Sequence, residues 1–347
     1  MECGIIGLPG SGKTSLFTAL TGSLAIQPGG SGRPNIGIAA IPDPRLTVIA
    51  GYIEPRKITS ASITFVDIPG INPGEGQSGV LLGHVRQVDA ICEVVRCFDG
   101  SDALRDITRL EEELVLADLA VVEPTLDKAR RAARSGDAET KARVAALEKA
   151  LAVLGEGKPA RTVTDFTPEQ HLIIRGYGLI TAKRMLYVAN VSEDDLAGQS
   201  EAARAVHEYA ASCGGEAVTL CALLEAELAE LDETDRREML EGLGLTEPAI
   251  GPLARAVCRL LGLAVFYTAG DKEVRAWTVV ADATAPEAAG VIHTDMQRGF
   301  IRAECYHVDD LVELHSEKAI KAAGRLRTEG KRYKVRDGDV MHMLFNV

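Results

Sequence analysis

The residues best able to do chemistry form a glycine-rich loop close to residue 1. Apolar residues precede the loop, and leucine and phenylalanine follow it at helical spacing. The spacing Gly-x4-Gly-Lys-Thr between a strand and a helix is typical of a phosphate-binding loop, in which backbone N–H groups turn inward around a phosphate. This context disfavours the alternative of a glycine-rich turn with a chance lysine. The residues of the pattern are Gly7, Gly12, Lys13 and Thr14.

We predict that this loop binds the phosphates of a nucleotide. The partial positive charge of the helix N-terminus adds to the attraction. Lys13 can reach the β- and γ-phosphates, and the hydroxyl of Thr14 can ligate Mg²⁺. The N–H groups expected around the phosphates belong to Gly10, Ser11, Gly12, Lys13, Thr14 and Ser15.

A second motif, Asp-Ile-Pro-Gly at 67–70, ends a later apolar strand. Asp67 can hold Mg²⁺ through water, and the N–H of Gly70 can meet a γ-phosphate. The four-residue pattern alone is common in turns, but its place downstream of a phosphate loop favours the functional interpretation. Two glycine-rich stretches, 23–34 and 72–79, lie nearby and are typical of a switch that senses the γ-phosphate.

Strands and helices alternate around these motifs, which predicts an α/β fold with a mostly parallel sheet. Ligands of such sheets lie at the carboxyl ends of the strands, where the motifs also fall. Apolar residues at alternating spacings of three and four in 103–134 and 138–154 predict an inserted antiparallel helical hairpin. Pro124 is expected to kink its first helix. Residues 224–262 are predicted to be helical throughout.

Short alternating segments after residue 263, including 333–336, predict a small β-rich domain. Residues 318–336 contain eight basic side chains and one acidic side chain. A solvated face is the ordinary explanation for such a stretch, and contact with RNA or the ribosome is the alternative.

The net charge of −12 disfavours wholesale electrostatic binding of nucleic acid or membrane. No apolar run reaches membrane-spanning length, and no signal peptide is recognisable, so a cytoplasmic protein is expected. The seven cysteines have no metal-ligand or disulfide spacing, which favours free buried thiols.

Together, these motifs resemble the YchF subfamily of Obg-type P-loop proteins over nearly the whole chain. The most specific part is C-terminal: Phe-Tyr-Thr-Ala-Gly at 266–270, Arg-Gly-Phe-Ile-Arg-Ala-Glu at 298–304 and Asp-Gly-Asp-Val-Met at 337–341. The other matching stretches are 7–13, 34–37, 42–46, 67–70, 94–98, 187–193, 272–278, 293–295 and 345–347.

The resemblance implies three parts and an activity. A nucleotide-binding domain would comprise 1–98 and 180–262, a helical coiled coil 99–179, and a β-grasp-like TGS domain 263–347. The implied activity is nucleotide hydrolysis with Mg²⁺, and the implied partners are ATP and the ribosome. Ribosomal RNA would be met through the TGS domain and the hairpin, whereas no membrane or DNA is expected.

Residues 190–193 bear on which base is bound. Guanine-specific relatives end this motif in Asp, whereas Glu193 is one methylene longer, and Val191 replaces the usual Lys. A site that does not accept hydrogen bonds from the guanine N–H groups loses its selectivity for GTP, so we expect ATP to bind at least as tightly as GTP. Asn190 could still meet the base. Residues expected to close over the base are Cys221, Ala222 and Leu223.

Several departures from the family pattern concern hydrolysis. Ser31 stands where a threonine usually ligates Mg²⁺, and Ile71 stands where other GTPases place a glutamine to position water. The family is thought to use a histidine after the Arg-Cys-Phe signature, but residues 99–105 contain none. His84 is the nearest candidate, although an ordinary helix histidine is the simpler interpretation.

Two other functions are therefore alternatives to a slow ATPase. The missing histidine and the shortened loops favour a nucleotide-dependent binding switch, or a weakly active paralogue whose output is a conformational state. A GTP-specific translation GTPase is disfavoured by Glu193.

Overall fold

The structure is a computed structural model that describes residues 1–22, 33–74, 78–133 and 136–346. Ser31 and most of the first glycine-rich stretch lie outside the described residues. The chain divides into two compact units, one of residues 1–37 and 64–250 and the other of residues 38–63 and 251–347. The prediction of three domains did not anticipate the grouping of 38–63 with the C-terminal region.

The strands form two six-stranded sheets. In chain order they are β1 (Glu2–Ile6), β2 (Asn35–Ala40), β3 (Ile58–Thr59), β4 (Ser62–Asp67), β5 (Ala90–Cys97), β6 (Met185–Val191), β7 (Glu216–Leu220), β8 (Leu263–Thr268), β9 (Val274–Val280), β10 (Phe300–His307), β11 (Arg327–Glu329) and β12 (Asp339–Phe345). The first sheet has the order β2-β4-β1-β5-β6-β7 and the second β11-β10-β12-β8-β9-β3.

Nine α-helices end before residue 250 in the described part of the chain, and all of them except the second in chain order belong to the first unit. They are α1 (Lys13–Thr21), α2 (Pro44–Ile53), α3 (Ser78–Gln87), α4 (Ala103–Ala132), α5 (Ala138–Gly155), α6 (Pro168–Gly176), α7 (Glu201–Ser212), α8 (Ala222–Glu230) and α9 (Glu233–Gly242). The later helices are α10 (Ile250–Leu260), α11 (Ala285–Ile292), α12 (Thr294–Arg298), α13 (Val308–Leu314) and α14 (Glu317–Ala322). No helix among the described residues is long and apolar enough to cross a membrane.

The first sheet explains why the motifs converge. Strand β1 pairs in parallel with β4 and β5, β5 pairs with β6, and β6 pairs with β7. Strands β1, β5 and β6 are buried along almost their whole length, as expected when helices cover both faces of a parallel sheet. The carboxyl ends of these strands therefore lie at one edge, which confirms the predicted α/β class.

Helix α4 belongs to two hydrophobic cores. Its first half places Ile107, Leu110 and Leu114 in the core beside the sheet. Its second half packs Val122 and Leu126 in a separate core with α5. The boundary predicted at residue 99 therefore separates residues that share a core, because the hairpin begins as part of the packing of the first sheet.

Helix α4 contains Pro124 and continues to Ala132, and the kink expected at Pro124 stays a prediction. Two local predictions need correction. The stretch 224–262 is not one helix but parts of α8, α9 and α10, separated where Asp232 caps α9 and where a turn precedes Ile250. Residues 333–336 form no strand beyond a single bridge at Lys334, and β11 takes the sheet position instead.

A buried carboxylate joins α3, α4 and the segment that leads into β6. The side chain of Asp118 is fully buried and lies 2.9 Å from the guanidinium of Arg86. It also accepts hydrogen bonds from the N–H of Ile180 at 3.0 Å and from the N–H and hydroxyl of Thr181 at 2.7 Å. Lys183 caps the end of α3 through three carbonyl oxygens. These belong to Val85, Arg86 and Val88.

The second unit shows why residues 38–63 group with the C-terminal region. Strand β3 pairs in parallel with β9. The carboxylate of Asp43 caps α2 and accepts a hydrogen bond from the hydroxyl of Tyr267 at 2.5 Å. Arg45 forms an ion pair with Asp337 at 2.5 Å. These contacts join residues more than 200 positions apart, which sequence periodicity does not reveal.

A second buried acid, Glu93 on β5, has very different surroundings. Its side chain is only 3% exposed. The nearby carboxylate of Glu111 is paired with the guanidinium of Arg161 and accepts a hydrogen bond from the hydroxyl of Tyr209. Arg161 also donates to the hydroxyl of Tyr187 at 3.0 Å. Burial, assisted by the charge of Glu111, raises the pKa of Glu93 to about 8, while the charge of Arg161 opposes the shift.

This arrangement predicts a pH-dependent stability. The folded-state pKa of Glu93 lies above its ordinary value of 4.5, so the stabilisation is greatest below pH 4.5 and is lost as pH rises towards 8. Since one pKa unit corresponds to about 1.4 kcal/mol, the free energy of unfolding should fall by roughly 2 to 3 kcal/mol between pH 6 and 8 relative to Glu93→Gln. Urea unfolding of both proteins across this range measures the difference.

The exposed Glu112 on α4 provides the control, because Glu112→Gln should leave the pH profile of the wild type unchanged. Asp106, a second acidic side chain near Glu93, acts in the same direction as Glu111. Parallel profiles for wild type and Glu93→Gln would contradict the assignment of this pH dependence to Glu93.

Candidate nucleotide-binding site

The phosphate loop fits its surroundings only because its glycines lack side chains. A Cβ on Gly7 would lie 2.5 Å from the carbonyl oxygen of Val94, and a Cβ on Gly12 would lie 2.2 Å from Nδ2 of Asn190. Gly12 also has a φ of +91°, which side chains rarely tolerate. The loop is therefore fixed in a shape that no other residue at these positions would allow.

Lys13 is folded back onto its own loop. Its ammonium group donates a hydrogen bond to the carbonyl oxygen of Leu8 at 2.8 Å, and the side chain is buried. Burial lowers its pKa to about 8, while the nearby charge of Asp67 opposes the shift. A phosphate in the loop would supply a charged partner in place of the carbonyl. Thr14 is exposed at the start of α1, and Ser15 is half-buried.

Asp67 ends β4 beside the loop, with its side chain buried. Its Oδ2 accepts a hydrogen bond from Nδ2 of Asn35 at 3.3 Å, whereas its Oδ1 is buried without a hydrogen-bond partner among the described residues. Burial raises the pKa of Asp67, and the bond from Asn35 and the charge of Lys13 oppose the rise. An unpartnered buried carboxylate oxygen is a suitable acceptor for a metal-bound water.

The residues fit Mg²⁺ rather than a metal held by protein ligands alone. Within the described ranges, no group of three or more His, Cys, Asp or Glu side chains could hold an ion. Mg²⁺ keeps several waters and usually takes one or two protein ligands together with phosphate oxygens. The exposed hydroxyl of Thr14 and the free oxygen of Asp67 suit that pattern.

The segment after Asp67 lies against the phosphate loop. The N–H of Ile71 points at the carbonyl oxygen of Gly7 at 3.4 Å, and a Cβ on Gly70 would lie 3.2 Å from Pro9. This contact places Gly70 beside the loop, as its predicted role requires. Ile71 is fully buried in the core.

Asn190 holds the loop instead of pointing both ends of its amide at a ligand. Its Nδ2 donates to the carbonyl oxygen of Ser11 at 2.8 Å, and its Oδ1 accepts from the N–H of Ala222 at 2.9 Å. The side chain is buried, so it connects β6, the loop and the start of α8. The expected contact of Asn190 with the base stays a prediction.

The other residues predicted near the base have varied environments. The side chains of Val191 and Cys221 lie in the hydrophobic core. Leu223 is 59% exposed, and Glu193 is exposed at the start of a short 3-10 turn. Ala222 is 1% exposed, so two of the five side chains are available to a ligand, whereas Val191, Cys221 and Ala222 are buried.

In the described part of the chain, the position after Asp-Ile-Pro-Gly holds the buried Ile71, and residues 99–105 contain no histidine. His84 is half-buried on α3, three residues before the helix ends at Gln87. In the loop before α4, the hydroxyl of Ser101 donates to the carbonyl oxygen of Arg96 at 2.6 Å. The role of His84 stays a prediction.

Sequence reasoning assigned no role to Asn35, although its stretch was recognised as part of a family pattern. The available signal was its position as an amide residue at the start of a strand, just after a glycine-rich loop. Its contact with Asp67 crosses 32 residues and depends on strand pairing.

The loop geometry predicts the effect of one added methyl group. Gly12→Ala should abolish nucleotide binding, because the new Cβ would displace the amide of Asn190 and would hold an alanine at a positive φ. Gly83→Ala is the matched control, since it lies in α3 with open space around it. Isothermal titration with nucleotide and a thermal unfolding scan separate lost binding from lost folding. Unchanged affinity in Gly12→Ala would refute this description of the loop.

Comparisons with known proteins identify two regions of the chain. A family model described as a 50S ribosome-binding GTPase matches residues 2–123. A model for the C-terminal region of YchF GTPases, described as a protein of unknown function, matches residues 263–346.

Relatives match the chain from end to end. The "Ribosome-binding ATPase YchF" of Haemophilus ducreyi is 42% identical over 362 residues, which cover 100% of this chain and 99% of the relative. The protein of the same name from Bacillus subtilis is 41% identical over 365 residues and covers 100% of both. The structure of the Schizosaccharomyces pombe YchF GTPase is 30% identical, with a TM-score of 0.88, and covers 99% of this chain and 97% of that one. These matches confirm the predicted fold and kinship, and the chain belongs to the YchF family of P-loop proteins.

Proposed function

We propose that this protein is a ribosome-associated P-loop ATPase that binds ATP with Mg²⁺ and hydrolyses it slowly. The observation that carries the proposal is the group of Lys13, Asp67 and Gly70 at one edge of the parallel sheet, with one buried oxygen of Asp67 unpartnered. The relatives named ribosome-binding ATPases support the choice of nucleotide and partner. Work at the ribosome also implies a cytoplasmic location.

The chain's own groups would act mainly by position and charge. The N–H groups of residues 10–15 bind the phosphates, and the ammonium of Lys13 leaves the carbonyl of Leu8 to meet the β- and γ-oxygens. The hydroxyl of Thr14 would hold Mg²⁺, with Ser31 joining in the triphosphate state, and Asp67 would act through a metal-bound water. When bound, Mg²⁺ would supply positive charge to the transferring phosphoryl group. The N–H of Gly70 contacts the γ-phosphate and so distinguishes triphosphate from diphosphate.

Slow hydrolysis is proposed because the side chain of Ile71 is buried in the core and cannot orient water. The loop of residues 99–105 carries no histidine. His84 is the one histidine we retain as a candidate, through a movement of α3. The same observations favour a second function, in which the bound nucleotide sets a conformation and hydrolysis only resets it.

Preference for ATP is proposed from the chemistry around the base. The Asn190 amide is engaged by Ser11 and Ala222, so it contributes little free hydrogen-bonding capacity for discrimination. Glu193 is exposed and longer than the aspartate that accepts the guanine donors in guanine-specific relatives. Because these residues do not pair with the N–H groups of guanine, GTP gains no hydrogen bonds that would make it bind more tightly than ATP.

Phosphate release tests the proposed activity. Wild type should release phosphate from ATP at least as fast as from GTP, and faster than Lys13→Ala, because the variant lacks the charge that stabilises the transferring group. The assay is run with and without ribosomes at saturating Mg²⁺. Release no faster than that of the Lys13→Ala control would favour the switch, and a tenfold advantage of GTP would refute the nucleotide preference.

Ribosomal RNA is proposed to contact exposed basic side chains of the C-terminal region and the hairpin. Among the described residues, some basic side chains of the C-terminal region already have acidic partners: Arg325 pairs with Asp310 and Glu313, and Lys334 pairs with Asp282. Others are exposed with no ion pair to a described acidic side chain. These are Lys318, Lys321, Lys331 and Arg332 in the C-terminal region, and Lys128 and Lys141 near the hairpin tip.

Charge reversal tests the C-terminal surface. Lys331→Glu combined with Arg332→Glu should reduce co-sedimentation with ribosomes several-fold, and the loss should grow with added salt, because phosphate contacts are replaced by repulsion. Lys272→Glu combined with Arg302→Glu is the matched control, since it makes the same charge change at exposed positions of the same unit. Equal loss in both double variants would indicate a general charge effect and exclude a defined contact.

A further inference from the structure

Asn35 is the residue that orients the side chain of Asp67. It is the first residue of β2, and its Nδ2 donates to Oδ2 of Asp67 at 3.3 Å. Asp67 is only 5% exposed, so its two oxygens have few possible partners. With Oδ2 engaged, Oδ1 is left buried and without a hydrogen-bond partner among the described residues.

Close packing two residues further along fixes the position of Asn35. A Cβ on Gly37 would lie 2.6 Å from Cγ2 of Thr21 and 3.0 Å from the ring of Phe17. Both contacted residues belong to α1, which begins with Lys13 at the phosphate loop. The start of β2 is therefore held against the helix that binds phosphate, and the amide of Asn35 has a defined position relative to that loop.

The bond from Asn35 restricts the orientation of the carboxylate. A carboxylate at the end of a strand can rotate about its last side-chain bond, which would exchange or tilt its two oxygens. A donor on one oxygen fixes that rotation and leaves the other oxygen aimed in one direction. Groups that hold metal ligands through such outer contacts typically change metal affinity by roughly 10- to 100-fold when they are removed.

We propose that Asn35 is a positioning residue, which directs the free oxygen of Asp67 towards the water shell of the Mg²⁺–nucleotide complex. This inference rests on the proposed function, because it assumes that the site binds Mg²⁺ with the nucleotide. It assigns a physical task to the Pro-Asn-Ile-Gly stretch at 34–37: Gly37 permits the approach to α1, and Asn35 supplies the donor.

The test measures metal dependence separately from nucleotide binding. A fluorescent ADP analogue is titrated into the full chain at a series of Mg²⁺ concentrations and in EDTA. Asn35→Ala should raise the Mg²⁺ concentration at half-maximal binding roughly tenfold and should leave the affinity measured in EDTA unchanged. Ile36→Ala, an exposed neighbour on the same strand, is the control and should match wild type.

A double variant shows whether the effect passes through Asp67. Asp67→Asn should raise the Mg²⁺ requirement, and adding Asn35→Ala to it should change little more, because both substitutions remove the same oriented oxygen. Additive effects, or equal weakening by Asn35→Ala with and without Mg²⁺, would overturn the inference. If wild type needed no Mg²⁺ at all, the proposed function would fail with it, whereas a normal wild type beside an unaffected Asn35→Ala would refute only the role of Asn35.

Discussion

The candidate site depends on one close contact, between the amide of Asn190 and the backbone at residues 11 and 12. The amide occupies the space that a side chain at Gly12 would need and bonds to the carbonyl of Ser11. Its other end bonds the first residue of α8. Loop, strand β6 and helix α8 are therefore positioned by a single buried side chain.

Two of the buried acids of the first unit, Asp118 and Glu93, differ in how far their surroundings compensate a buried charge. Asp118 is fully buried but has a guanidinium, two N–H groups and a hydroxyl around it. Glu93 is equally buried but faces another carboxylate, and the nearest cation is already paired with that carboxylate. Burial of a charge is tolerated when its hydrogen bonds are supplied and is otherwise avoided by binding a proton.

The parts of the site that were predictable from sequence are those defined by local pattern. The phosphate loop and Asp67 follow short apolar strands, so their residue types and spacing predict both the element and the chemistry. The alternation of strands and helices predicts the parallel sheet, which brings these stretches to one edge. The confirmed kinship depends on longer stretches of the same kind, at 266–270 and 298–304.

Contacts between distant segments were not predictable. The bond from Asn35 to Asp67 and the two bonds of Asn190 depend on which strands become neighbours. The association of residues 38–63 with the C-terminal sheet depends on Arg45 and Asp43, whose partners lie more than 200 positions away. The break at Asp232 was missed because good helix formers flank it, whereas Gly242, Gly244 and Pro248 before Ile250 are a signal for a break that the prediction did not use.

Helix α4 has a mechanical consequence for the whole first unit. With 30 residues and a rise of 1.5 Å per residue, it is about 45 Å long, and its first turns lie in the core beside β5. Its second half packs against α5, so the two helices form a long lever whose base lies in the core beside the sheet. By geometry alone, any rotation of the helix axis at that base would be multiplied into a larger displacement at the far end.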